Sequence, residues 1–175
     1  RWIISRLDAV TESVTGLLDR HLYGEAGRQV ADYLWSEVAD WYIEAAKVRL
    51  REGDEAASTV GQVIADALGR SLRLLHPYMP FLTETLWQQV PHSGESIMIA
   101  AWPEAGERDL GAEQAFGSLM ELVRSIRNVR SDAGVEPARW ISADIYAAEL
   151  TPSFESARRE IGFLARVADE QLRFH

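Results

Sequence analysis

The stretch WSEVADWYIEAAKVRL, Trp35 to Leu50, constrains the fold more than any other part of the chain. Leu34, Val38, Trp41, Ala45 and Val48 fall on one helical stripe, and Trp35, Ala39, Tyr42, Ala46 and Leu50 on a second beside it. The remaining face carries Glu37, Asp40, Glu44, Lys47 and Arg51, acids first and bases last, an order that suits the helix dipole. A helix with so broad an apolar arc must be covered on two sides, as in a bundle. The stripes assign Trp35 and Trp41 to the core, with a base-stacking platform as the alternative.

The same period recurs along the first half. A first helix spans Trp2 to Asp19, with Ile3, Leu7, Val10, Val14 and Leu17 inward and Ser5, Asp8, Glu12 and Asp19 opposite. After the break HLYGEA, a second helix runs from Glu25 to Leu50. Gly53 and Asp54 mark a polar loop, and a third helix runs from Thr59 to His76 with Val60, Val63, Ile64, Ala67, Leu68, Leu72 and Leu75 inward. Pro77 and Pro80 stop it, and Pro80 can open a fourth, short helix over Phe81–Gln89.

Beyond residue 94 the pattern changes. SIMIA, Ser96 to Ala100, reads as a short strand. A fifth helix covers Ala112–Arg130, burying Phe116, Leu119, Met120, Val123 and Ile126, and ends at Gly134 and Pro137. Trp140–Ala147 reads as a strand, Thr151-Pro152 starts a sixth helix reaching Val167, and Glu170–Phe174 is a final strand. Strand, helix and strand suggest a small right-handed βαβ unit. The reading is mainly α: an antiparallel helical bundle over residues 1–94, then a small α+β module over 95–175.

Composition narrows the function classes. There is no cysteine, which excludes disulfides, thiolate zinc sites and cysteine nucleophiles. No apolar run is long enough to span a bilayer, and no signal-peptide pattern opens the chain, so a cytoplasmic location and no membrane partner are expected. The chain begins with Arg1 rather than Met and is read as part of something longer. A net charge of −9 opposes non-specific attraction to polyphosphate, so any nucleic-acid role needs a local basic patch. His21, His76, His92 and His175 are scattered without metal-ligand spacing, and GxxxxGK[ST] is absent. No catalytic constellation, metal site or cofactor site is expected in this chain.

Two basic groups remain. Arg124, Arg127 and Arg130 lie three apart on one flank of the fifth helix, as phosphate contacts or as a solvated helix end favoured by the dipole. Lys47, Arg49 and Arg51 close the second helix. Lys47 stands alone among 17 arginines, so it either needs a compact ammonium against RNA or a neighbouring domain, or snorkels at the surface.

Four motifs, in order, carry a family resemblance. HPYMPFLTETLW resembles the HPFMPFITEELW segment of valyl-tRNA synthetases, VADWYIEAAKVRL their CDWYLELSK, SIMIAAWPE their SIMLAPWPE, and SIRNVRSDAGVEP their IRNIRAEMNVPP. The likeness extends over nearly all of the chain. It implies the C-terminal part of a class I aminoacyl-tRNA synthetase, with the bundle as the anticodon-binding domain and the α+β module leading to a coiled coil. Valine tRNA would be the partner, together with catalytic and editing domains of the same polypeptide; those parts, with their HIGH and KMSKS motifs, are absent here. ATP with magnesium would serve the full-length enzyme. A first family helix resembling NKLWNASRF would precede Arg1 and supply part of the anticodon surface. Where the family often has two prolines and lysines after helix five, this chain has VEPARW, leaving Arg139 as the nearby base. The tRNA-binding candidates are Lys47, Arg49, Arg51, Arg124, Arg127 and Arg130. The alternatives are a helical protein-interaction module without RNA binding, or the equivalent region of an isoleucyl- or leucyl-tRNA synthetase.

Overall fold

A computed structural model describes residues 1–51 and 55–175. The polar loop expected at Gly53 and Asp54 lies outside the described residues. The chain divides into two compact units, 1–110 and 111–175. That division comes later than the boundary read at residue 94, because residues 95–110 pack back onto the helices.

In the first unit, α1 (Trp2–Asp19) has the bounds the sequence predicts. It stops at His21, whose left-handed φ of 63° turns the chain. α2 (Tyr23–Asp32) continues into a π-helical segment (Tyr33–Ile43) and then α3 (Glu44–Leu50). Tyr33 anchors this long element, its hydroxyl donating to the carbonyl of Ile3 at 3.0 Å. Burial raises the pKa of that hydroxyl above the ordinary tyrosine value, with Glu37 nearby adding to the effect.

The π-helical winding corrects the two-stripe expectation. With hydrogen bonds from i to i+5 the turn is wider than an α-turn, so the inward face changes phase. Val30, Tyr33, Val38, Trp41 and Ala45 are buried, while Trp35 is 75% exposed and Leu50 is exposed. Trp41, at 7%, is core as predicted.

α4 (Glu55–Leu75) crosses α1 and the earlier helices, and α5 (Pro80–Trp87) packs on it with Pro80 in its first turn. The HPYMPF corner has a local cause. The Thr83 hydroxyl donates to the carbonyl of Met79 at 2.9 Å and lies 2.8 Å from Nδ1 of His76. The Tyr78 hydroxyl donates to the carbonyl of Tyr23 at 2.7 Å. A Cβ at Gly27 would stand 3.1 Å from the Tyr78 ring, so that glycine lets the ring lie against α2.

SIMIA is not a strand. Ile97–Ile99 forms a 3-10 turn, because the Ser96 hydroxyl accepts from the Met98 amide and the Glu84 carboxylate takes the Ile97 amide at 3.1 Å. Ile97 is buried with Leu72 and Trp87. The segment that follows straps α1 to α4. Asp8 accepts from the Gly106 amide at 2.9 Å and the Ser5 hydroxyl from the Asp109 amide at 2.8 Å. Ser5 and Asp8, expected on the solvent face, are therefore buried.

In the second unit, α6 (Leu110–Asp132) ends at Gly134, whose φ of 64° lets the Val135 amide reach back to the Arg130 carbonyl at 2.9 Å. β1 (Ile141–Ile145) pairs in parallel with β2 (Val167–Phe174), with an irregularity between Ile141 and Ala143. The connection is two helices rather than one: Ala157 breaks it into α7 (Thr151–Ser156) and α8 (Arg158–Ala165). Ile145, Phe154, Ile161, Leu164, Val167 and Leu172 are among the buried apolar residues of this unit. Arg166 caps α8 in the left-handed conformation, φ 58°.

Candidate nucleic-acid interface

In the first unit the exposed Trp35 ring and a basic helix end share the same long element. Trp35 projects from the π-helical segment, and its ring is available for stacking. Lys47 and Arg49 lie in the last turn of α3, and Arg51 caps it. Lys47 is ion-paired with Glu44, three residues back. Burial pushes the Tyr42 hydroxyl pKa up, and the Arg49 cation draws it partly back. Arg49 and Arg51 are exposed.

A cleft of about 720 Å³ lies between α4 and the segment 91–101. Gly61, Ala65 and Gly69 floor it, and Arg70, Arg73, Trp87 and His92 stand around it. Arg73 donates to the carbonyl of Ala101 at 3.0 Å and to that of Gly69 at 3.3 Å. Its pKa is lowered, first by burial and then by the neighbouring Arg70 cation. The His92 ring lies on Trp87, centroids 3.9 Å apart. Periodicity hid this cleft, since it is made by a segment far from α4 in sequence.

In the second unit the arginine row separates by fate. Arg124 is exposed. Arg127 is exposed, with Nε and Nη2 donating to the carbonyl of Leu164 at 3.2 and 2.9 Å. Arg130 is 5% exposed. Its Nη1 donates to the carbonyls of Ala165 and Arg166, both at 3.0 Å, and its Nη2 to those of Glu136, Pro137 and Arg139 at 3.0, 3.2 and 2.8 Å. Direct phosphate contact by Arg130 is corrected accordingly: its donors tie the α8 end to the 136–139 loop and cannot leave them cheaply.

Among the described residues no group of three or more His, Cys, Asp or Glu could hold a metal ion, and no helix is long and apolar enough to cross a membrane.

Residues 1–145 match the family model for the anticodon-binding domain of tRNA ligase. The chain belongs to that family. Among its relatives, the valine–tRNA ligase of Dehalococcoides mccartyi (strain CBDB1) is 48% identical over 158 residues, 86% of this chain and 18% of that protein. That of Bacillus licheniformis is 41% identical over 163 residues, 91% and 18% respectively. That of Listeria monocytogenes serovar 1/2a is 37% identical over 174 residues, 98% and 20%. The anticodon-binding domain chain thus spans about a fifth of the length of the curated relatives it matches.

Proposed function

We propose that this chain is the anticodon-recognising part of a valine–tRNA ligase. The observation that carries the reading is similarity to valine–tRNA ligases at 37–48% identity along 86–98% of the chain. The work of the chain is binding. Anticodon bases unstack, and Trp35 supplies a ring for one of them. Lys47, Arg49 and Arg51 on one unit, and Arg124 and Arg127 on the other, hold phosphates. Arg130 serves by fixing the backbone around its neighbours.

Activation of valine with ATP and magnesium, transfer to valine tRNA and editing belong to other domains of the same cytoplasmic polypeptide. Those domains also account for the apolar side chains the first unit leaves in water, with Phe81 at 89% exposure foremost.

The test is a titration of the chain with valine tRNA, and with the same tRNA carrying a changed anticodon, at low and moderate salt. Binding should be weak, because of the net charge of −9, and salt-sensitive, because phosphate contacts release counterions. The anticodon change should weaken it, and so should Trp35→Ala and the combined Lys47→Gln/Arg49→Gln/Arg51→Gln. Equal affinity for the two tRNAs, untouched by either variant, would overturn the reading.

A further inference from the structure

We propose that the second unit carries its own RNA-backbone site, a pocket that takes a phosphodiester group with the adjoining base against the pair Arg166–Trp140. This rests on the tRNA reading above and adds a contact separate from the anticodon.

The pocket, about 320 Å³, lies between the end of α6, the loop that follows it and the end of α8. Arg127, Arg130 and Arg166 line it, with Ser131 beside them. The pocket thus gathers three guanidiniums in a chain of net charge −9. Arg130 meets five backbone carbonyls and, among the described residues, no carboxylate, so carbonyl dipoles offset its charge only in part and the remainder biases the pocket toward anions. Glu136, the nearest acid in the loop, enters only through its backbone carbonyl.

Arg166 gives the pocket its direction. Left-handed backbone is uncommon for a residue other than glycine, and glycine is the usual solution after a helix end. Here the position carries a long cationic side chain instead, at φ 58°. Its guanidinium lies 5.5 Å from the centre of the Trp140 ring and 5.9 Å from that of Phe163. Stacking on two rings orders the side chain in advance and leaves its edge N–H groups for an anion. Trp140 is 48% exposed, so part of the indole remains open to a base. A guanidinium over a half-open indole matches a nucleotide, with its phosphate and its base, better than a carboxylate side chain, which brings no ring to stack. Leu164, Ala165 and Arg166, three of the eight residues that line the pocket, also lie beyond residues 1–145, outside the anticodon-binding match.

The experiment uses the full 175-residue chain. Arg166→Asn removes the cation while keeping a residue that tolerates left-handed backbone, and Trp140→Leu removes the ring; unchanged thermal midpoints certify folding. Valine tRNA affinity at low salt should fall about tenfold in Arg166→Asn, and the log–log salt dependence should become shallower by about one. With 15N-tryptophan labelling, the Trp140 indole signal, assigned by Trp140→Leu, should shift on adding tRNA. Wild-type affinity and salt slope in both variants, while the α3 charge variants weaken binding, would overturn the pocket and leave the tRNA reading standing. No tRNA binding by the unaltered chain would overturn both. A Trp140 shift with inorganic phosphate that tRNA neither reproduces nor competes away would make it a free-anion site and overturn the RNA assignment.

Discussion

Arg70 on α4 reaches the carboxylate of Asp8 on α1 through Nη2 at 2.5 Å, and both side chains are largely removed from water. The same Nη2 donates to the carbonyl of Glu104 at 3.0 Å, and Asp8 also takes the Gly106 amide. One ion pair thus joins two helices and the strap that covers them.

Breaking that pair on one side should therefore cost more than removing it. Asp8→Asn leaves the Arg70 charge only its longer pair with the exposed Asp66, 3.9 Å away, and should lower stability by about 3 kcal/mol. Asp8→Asn with Arg70→Met should recover part of the loss, since neither charge is then stranded. Urea unfolding of the two variants decides; a double variant no more stable than Asp8→Asn would show that the strap, rather than the charge, was at stake.

Trp35 and Trp41 should behave oppositely. Trp41→Ala empties a core position and should cost about 3–5 kcal/mol. Trp35→Ala removes an exposed ring and should stay within about 0.5 kcal/mol of the unaltered protein. Thermal unfolding measures both; a large loss from Trp35→Ala would remove it as a stacking surface and return it to the core.

The contrast between these tryptophans marks where sequence reasoning stopped. The bounds of α1, the proline start of α5 and the parallel β1–β2 pairing follow from local pattern and were legible. The exposure of Trp35 was not, because hydrophobic periodicity presumes α-winding and the segment Tyr33–Ile43 is wound wider. Ser5 and Asp8 looked solvent-facing because their partners lie about a hundred residues on, at Asp109 and Gly106. SIMIA has the β-branched content of a strand, but a serine cap and the Glu84 carboxylate settle it as a turn. Of the candidate site, the charges were legible and their destinations were not. Nothing in IRNVR says that Arg130 will turn inward, since the carbonyls that receive it have no sequence identity.

Glu84 gives a pH signature. Hydrogen bonds from Gln88 and Ser96 hold its carboxyl below the ordinary carboxylate pKa, with the Ile97 amide adding to them. A folded-state pKa below the unfolded one means the contribution is present above the unfolded value, about 4.5, and is lost as pH falls through the folded one. The Ile97 amide resonance should hold its position down to the ordinary carboxylate range and move only below it. In Glu84→Gln that step should vanish. A midpoint at or above the ordinary value would contradict the assignment.

Arg130 and Arg124 should separate stability from binding. Arg130→Met takes a donor from five carbonyls, of which, among the described residues, only those of Glu136 and Arg166 keep a backbone amide, and should destabilise the second unit by about 3 kcal/mol; Arg130→Lys should not rescue it, because an ammonium cannot span both carbonyl groups. Arg124→Gln should leave the thermal midpoint nearly unchanged while weakening tRNA binding modestly. A stable Arg130→Met would mean that the carbonyls find water easily and that the guanidinium is not what joins α8 to the loop.

Gly162 on α8 tests the close approach that places Arg166. A Cβ there would stand 3.0 Å from the carbonyl oxygen of Val167, where β2 begins and pairs with Ile141. Two effects oppose each other in Gly162→Ala. Alanine is the better helix former by about 0.8–1.0 kcal/mol. The clash is with backbone rather than a flexible side-chain end, and overpacking of that kind costs about 1–3 kcal/mol. The clash should win, leaving a net loss of about 1 kcal/mol, because Val167 can retreat only by pulling β2 away from β1. A displaced β2 start would also turn Arg166 off Trp140, so the Trp140 indole resonance should move along with the lowered thermal midpoint. A variant of raised stability with an unmoved indole signal would show that the α8–β2 corner has slack, and that glycine at 162 is not what sets the Arg166 side chain over its ring.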